Sequence, residues 1–305
     1  MLSISTVFAI KRCPTWQLML DEALKCGFSS VELGVQVPES WLQEIERSVK
    51  KGEIAVSSLH NYVPMLTNLP PNRHVYSGYF LTSYDENESR LAVDLTRRTI
   101  KWAGRLGAKA IVAHAGEVPT DPTGRNVFEY AAKFSVKGKL YSSYTNSLFE
   151  DRVAKTPKYM DALQRNLEAV LETADAEKVC VALENRVYAN EVPDMDETLF
   201  LLKKFKGSPL GYWHDAGHGE IFARMGFVDR HESILETLGT SLIGMHLHDL
   251  KGLDDHFTPG FGDFEFGILK PYAKNGVLKV IETHKYTSPE ELKKGIKHLN
   301  KAGIA

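Results

Sequence analysis

The chain has little cysteine, no long apolar run and no excess of charge of either sign. Its three cysteines among 305 residues, Cys13, Cys26 and Cys180, are too few and too scattered for a disulfide framework or a cysteine-based zinc site. No stretch approaches the roughly 20 apolar residues needed to cross a bilayer. Residues 1–10 lack both the basic start and the apolar length of a secretory signal. A cytoplasmic, reduced protein is expected. The 37 Lys and Arg against 39 Asp and Glu give a formal charge of −2, which disfavours a polybasic nucleic-acid or membrane-surface binder but leaves room for a local patch. Internal repeats, low-complexity tracts and an interdomain linker are missing too, so residues 1–305 are expected to form a single domain.

What is present is alternation. Short β-branched runs occupy Ser3–Ala9, Ser30–Gly34, Ile54–His60, Lys109–His114, Val179–Glu184, Leu210–Asp215, Leu242–His246 and Val277–Glu282. The segments between them carry helical spacing, as in Trp16, Met19, Leu20, Ala23 and Leu24. Thr156-Pro157 and Ser288-Pro289 read as helix starts with proline at the first position. Asp85–Glu88 and Asp194–Glu197 read as capping boxes. Eight strand–helix units point to an α/β fold, a closed (β/α)8 TIM barrel. An open doubly wound sheet is the alternative, but no G-x-G-x-x-G follows the first strand. Long connections after strands three (Asn61–Tyr84) and four (Ala115–Lys155) leave the strand ends where barrel enzymes keep their chemistry, and are expected to wall or cover a site.

Strands three to eight end in His60, His114, Glu184, Asp215, His246 and Glu282. Alternation along strand five sends Cys180, Ala182 and Glu184 to the barrel axis, strand six sends Gly211, Trp213 and Asp215, and strand seven Leu242, Gly244 and His246. A lone strand-end histidine is ordinarily a hydrogen-bonded core residue. Six converging polar ends are different, because gathered carboxylates repel one another unless a cation joins them. His218 follows Asp215 by three residues, and Asp254-Asp255-His256 has a D-x-H spacing that lets its outer residues face the same way. A glycine-rich stretch, Pro259–Asp263, closes that loop.

These residues resemble the xylose-isomerase-like barrel superfamily, which includes sugar isomerases and epimerases, inosose dehydratases and the endonuclease IV family. The resemblance runs from Ser3 to about Lys297 through Ser58–Asn61, Ala113–Gly116, Ala182–Asn185, His214–His218, His246–Asp249, Asp254–His256 and Ile281–Thr283. It implies one divalent ion (manganese, zinc, magnesium or cobalt) held by Glu184, Asp215, His246 and Glu282. For the endonuclease family it implies a trinuclear zinc cluster that adds His60, His114, His218, Asp254 and His256. Ser58–Pro64 and Pro259–Phe264 look more like the isomerase branch. Among Lys and Arg, Asn61–Tyr84 carries only Arg73, little for a loop that embraces phosphates.

The expected activity is metal-dependent isomerisation or epimerisation of a sugar or small polyol, with Glu184 and Glu282 as base and acid. His114 and His218 are expected to bind substrate oxygens. Arg186, sharing Glu184's parity, either neutralises an anionic group or forms a structural salt bridge. The alternative is a multi-zinc phosphodiesterase for abasic DNA. A homo-oligomer is compatible with either. Other conspicuous residues have plainer readings. Trp102, spaced with Leu91, Leu95 and Leu106, is expected in the core; His74, His231 and His298 in solvent; His214 packed or hydrogen-bonded; His248 and His284 beside the ligands; Phe80 and Tyr84 as loop anchors.

Overall fold

The computed structural model describes residues 2–71, 73 and 75–305. Eight strands form the frame: β1 (Leu2–Ser5), β2 (Ser30–Leu33), β3 (Ala55–His60), β4 (Ala110–Ala113), β5 (Cys180–Glu184), β6 (Leu210–Asp215), β7 (Leu242–Leu247) and β8 (Leu278–Ile281). They pair in parallel, each with its neighbours in sequence, and β8 closes on β1. The expected closed barrel is what forms. The chief difference in strand bounds is β1, which stops at Ser5 because Thr6–Phe8 turns into a 3-10 helix.

Nine helices pack outside: α1 (Trp16–Lys25), α2 (Leu42–Lys50), α3 (Glu86–Leu106), α4 (Gly124–Lys133), α5 (Lys139–Glu177), α6 (Met195–Lys204), α7 (Ala216–Arg224), α8 (Glu232–Leu238) and α9 (Pro289–Ala302), counted among the described residues. Ser288 and Pro289 start α9 as expected, with a full capping box to Glu291. Asp194 and Glu197 do the same for α6. Asp85 caps α3 by accepting from the Asn87 and Glu88 amides, but Glu88 turns to Arg73 and Ser83 instead of closing the box. Thr156-Pro157 does not start a helix. Pro157 lies inside α5, where a proline costs about 3 kcal/mol. Tertiary anchors on the turns before it hold the helix through: Arg152 binds Glu197 at 2.7 and 2.9 Å and the Glu191 carbonyl at 3.1 Å, and Tyr141 donates to the Met225 carbonyl.

The barrel interior is small. Ala110, Val112, Ala182, Trp213 and Val280 fill it, with Cys180, Ile243 and Leu278 beneath. The Trp213 indole needs Gly244 opposite, since a Cβ there would sit 2.3 Å from the ring. Along β7 the expected alternation is corrected. The register against β6 shifts so that Tyr212 pairs with Leu242 but Trp213 with Gly244. Ile243 is therefore the extra residue that joins the interior, and Leu242 packs in the outer core.

The connection after β3 stays mostly irregular, whereas the one after β4 is largely helical: a two-residue strand at Gly116–Glu117, then α4 and the first turns of α5. Trp102 is only half-buried. The inward face of α3 is Ala92, Val93, Thr96, Thr99, Ile100, Ala103 and Leu106, and Arg105 lies 4.0 Å over the Trp102 ring. Tyr84 is exposed and meets Tyr159 and Lys158. His74 lies outside the described residues. No described helix is long and apolar enough to cross a membrane.

Candidate metal centre

The carboxyl ends of β3 to β8 deliver their polar residues to one place. Glu184 and Asp215 are the last residues of β5 and β6, His246 is the penultimate residue of β7, and Glu282 directly follows β8. All four are buried, and each offers a donor atom within 4.8 Å of the others. His246 is the pivot. Its Nδ1 lies 2.6 Å from Glu184 Oε1, 3.1 Å from Glu282 Oε2 and 3.7 Å from Asp215 Oδ2.

Behind His246 sits a residue that sequence reasoning missed. Glu32, fully buried on β2, accepts from His246 Nε2 at 3.1 Å and from the Ser58 hydroxyl at 2.8 Å. With a carboxylate on Nε2, Nδ1 is the ring nitrogen turned to Glu184, Asp215 and Glu282, and it is the one that would bind an ion there. The signal was present: a charged residue in the middle of the apolar run Val31-Glu32-Leu33.

Two further groups flank this quartet. On one side His60, His114 and Glu184 have donors within 4.8 Å of one another. His114 Nε2 is 2.6 Å from Glu184 Oε2, and the His60 and His114 rings meet edge to face at 4.4 Å. On the other side Asp215, His218, His248 and His256 do the same. Asp215 accepts from His248 Nε2 at 2.9 Å and caps α7 by accepting the His218 amide. His256 is stacked between His248 and His284, with centroids 4.0 and 3.9 Å away.

Asp254 does not join His256. Its carboxylate is exposed and pairs with Lys285 at 2.6 Å, while the neighbouring Asp255 reaches His256 Nδ1 at 2.8 Å and His218 Nε2 at 3.8 Å. The expected D-x-H alignment fails because His256 adopts a left-handed backbone, φ 59°, so strand alternation does not carry through Asp254–Phe257. Arg186 is committed to protein partners: Glu191 and Glu184 at 3.0 Å each and His114 Nε2 at 2.6 Å. That is the structural salt bridge, although the side chain still lines the cleft.

Asn185 fixes the geometry of Asp215 and His218. Its Oδ1 takes the Asp215 amide and the Tyr212 hydroxyl, its Nδ2 donates to the Asp215 carbonyl, and its own carbonyl accepts from His218 Nδ1. His214 points away from the axis as expected and is hydrogen-bonded, to Tyr212 and to His231 at 2.8 Å each. His231 is buried rather than solvated, because Glu220 and His214 satisfy both ring nitrogens and Phe264 stacks on it. His298 is exposed. The Gly260–Phe264 turn is moulded by Asp249, whose carboxylate accepts four backbone amides, from Leu250, Gly260, Gly262 and Phe264.

The electrostatics follow from this crowding. Burial pushes Glu184 and Glu282 towards the neutral form. The charge of His114 and His246 on Glu184, and of His246 with hydrogen bonds from His256 and His284 on Glu282, outweighs it and holds both well below the usual glutamate value. Burial works against a charged His246 as well, yet Glu282, Glu32 and Glu184 lift it well above its usual value. Asp215 is held low against burial by His218 and His248. Burial, then the charge of His114, pushes His60 down to about 4. His256 is raised to about 10, burial notwithstanding, by Asp255 and Glu282. Three carboxylates around one imidazole, with Glu32 behind, leave an excess of buried negative charge. The donor set fits a divalent cation, and oxygen with nitrogen suits manganese, magnesium, cobalt or zinc.

Glu184 and Glu282 of the quartet line the floor of a cleft of about 1270 Å³, to which the β1, β4, β5, β7 and β8 connections contribute. Residues 20–302 match the description of a xylose isomerase-like TIM barrel. The chain belongs to that family. A D-tagatose 3-epimerase-like protein superposes with a TM-score of 0.67 at 18% identity, over 99% of this chain and 96% of that one. The 3-keto-D-glucoside 4-epimerase of E. coli gives 0.66 at 13% identity, over 98% of both. An IOLI protein solved with a zinc atom gives 0.61 at 16%, over 99% and 95%. In sequence, the family member is similar to an uncharacterized protein of Methanocaldococcus jannaschii, 23% identical over 206 residues and 65% of this chain. The chain spans 59% of the length of that relative.

Proposed function

We propose that this xylose isomerase-like barrel is a divalent-metal-dependent isomerase or epimerase of a sugar or related small polyol. The observation that carries the reading is the approach of two glutamates from β5 and β8 to one point, 2.6 and 3.1 Å from His246 Nδ1. Glu184, Asp215, His246 and Glu282 would hold the ion, which when bound polarises a substrate carbonyl and lowers the acidity barrier at the adjacent carbon. The rest is done by the chain. Glu184 and Glu282, ionised at neutral pH, are each ready to take a proton from that carbon. In epimerisation one removes it and the other returns one to the opposite face; in isomerisation it returns to the neighbouring carbon. His60 and His114 border Glu184, and His218 borders Asp215, so imidazole nitrogens stand where substrate hydroxyls can be bound. The sugar epimerases that share the fold support this reading. Dehydration of a keto-polyol begins with the same proton removal.

The test is exchange. Metal-loaded protein incubated with a panel of ketoses in D2O should introduce deuterium next to the carbonyl, read by proton NMR. Glu184→Gln should abolish it. Substantial exchange by the variant sinks the assignment of the base.

One observation favours a second reading, a multi-zinc phosphodiesterase of the abasic-DNA type. The His60–His114–Glu184 and Asp215–His218–His248–His256 groups flank the quartet as additional ion positions. Against it, Asp254 turns away to Lys285. Metal content per chain separates the two: about one ion favours the isomerase, and two or three zinc ions dependent on His60 and His114 favour the phosphodiesterase.

A further inference from the structure

Resting on the sugar reading above, we propose that the substrate carries a phosphate, and that a cationic mouth at the top of the cleft, formed by Lys11, Arg12, Lys251 and Lys285, holds it. The whole chain is slightly acidic, at −2, yet these four cations and Arg125 line one cleft. Of the carboxylates that line it, Glu184, Asp255 and Glu282 are engaged with the histidine cluster at the floor, and Asp254 alone is out at the rim.

Two of the cations meet at one ring. Lys251 and Lys285 come from different connections, after β7 and β8, yet both ammonium groups lie over the one Phe257 ring, at 4.9 and 4.7 Å. Among the described residues they have a single carboxylate between them, Asp254 on Lys285. Arg12 is held in place by the Phe8 carbonyl at 2.6 Å, Glu22 at 3.3 Å and the rings of Phe8 and Tyr286. Lys11 and Lys251 form no ion pair among the described residues. Like charges collected from three connections repel one another, and an anion bound among them removes that repulsion. None of the four belongs to the histidine and carboxylate cluster at the floor.

Size points the same way. At about 1270 Å³ the cleft exceeds the roughly 300–1,000 Å³ of ordinary small-molecule sites. A molecule that reacts at the floor and also reaches the mouth must extend beyond its reacting carbons. A phosphate monoester brings close to two charges and three acceptor oxygens at neutral pH, which suits cations arriving from several loops better than a single carboxylate does.

The experiment is calorimetric binding to the metal-loaded full chain, with D-ribulose 5-phosphate and D-ribulose as a matched pair and an abasic DNA duplex as the third probe. The phosphorylated sugar is expected to bind about tenfold tighter or more at low salt, with the preference shrinking as salt is added. The triple variant Lys11→Ala, Lys251→Ala, Lys285→Ala should bring the two sugars to within about twofold of each other; Lys251→Glu alone should move the ratio the same way and serves if the triple variant fails to fold. Equal affinities in the wild type overturn the phosphate site and leave the sugar reading standing. A preference that survives in the variants assigns the phosphate to the floor and overturns the mouth. Binding of the abasic duplex with no binding of either sugar overturns this proposal and the sugar reading together, whereas failure of all three probes to bind overturns the phosphate site and leaves the sugar reading to the exchange test.

Discussion

Glu32 offers the sharpest test of how the centre is organised, because it touches the candidate ligand His246 from behind and nothing else in the quartet. Its two oxygens lie 3.1 and 3.2 Å from His246 Nε2, and one also accepts from Ser58 at 2.8 Å. Glu32→Gln keeps the shape: the amide oxygen still accepts the imidazole proton, and Ser58 rotates to accept from the amide nitrogen. What is lost is charge, which strengthens the histidine as a donor to metal. Glu32→Ala also frees the ring and strands a buried Nε2–H, a group that costs about 1–3 kcal/mol when unpaired. Loss of such an outer partner lowers metal affinity about 10–100-fold, or about 1.4–2.7 kcal/mol. The glutamine variant should sit at the low end of that range and the alanine variant at the high end. Competition for manganese or zinc against a chromophoric chelator measures both without any assumption about substrate. Alanine-variant affinity within about twofold of wild type, or glutamine weaker than alanine, refutes the positioning role.

Trp213→Ala should destabilise the barrel by about 3–5 kcal/mol, since the indole is fully buried and is the largest side chain of the interior cluster; chemical denaturation measures it. The metal-free protein should be most stable near pH 6.5. His60, with its folded pKa lowered from 6.5 to about 4, takes up a proton on unfolding, so stability falls as pH drops from 6.5 towards 4. His256, raised from 6.5 to about 10, contributes stability that is complete below 6.5 and is lost as pH climbs towards 10. A thermal midpoint in chelator that rises or falls steadily across about pH 5 to 9 contradicts this pair of shifts.

Much of this was legible in the sequence because two periodicities dominate a barrel. Alternation within strands and 3.6-residue spacing in helices locate the eight units, and the same alternation brings the strand-end residues His60, Glu184, Asp215 and His246 to one face of the barrel. What was not legible depends on single departures from those periods. A register shift opposite Trp213 swaps Leu242 and Ile243. A left-handed backbone at His256 parts it from Asp254. Pro157 reads locally as a helix start, but the contacts of Arg152 and Tyr141, far away in sequence, decide otherwise. His231 looked like a surface residue because its partners, Glu220 and His214, lie on α7 and β6. Glu32 escapes both periodicities because it lies within β2 and not at a strand end.

The clasp at Asp249 separates two kinds of change in this molecule. Because one carboxylate shapes the Gly260–Phe264 turn through four main-chain amides, the loop draws its form from the main chain. Lys251 stands two positions from that clasp, and the floor residues stand on rigid strands below. A change of side chain at Lys251 therefore leaves both the clasp and the strands below it in place, so that on the reading proposed above the mouth can be altered without disturbing the floor.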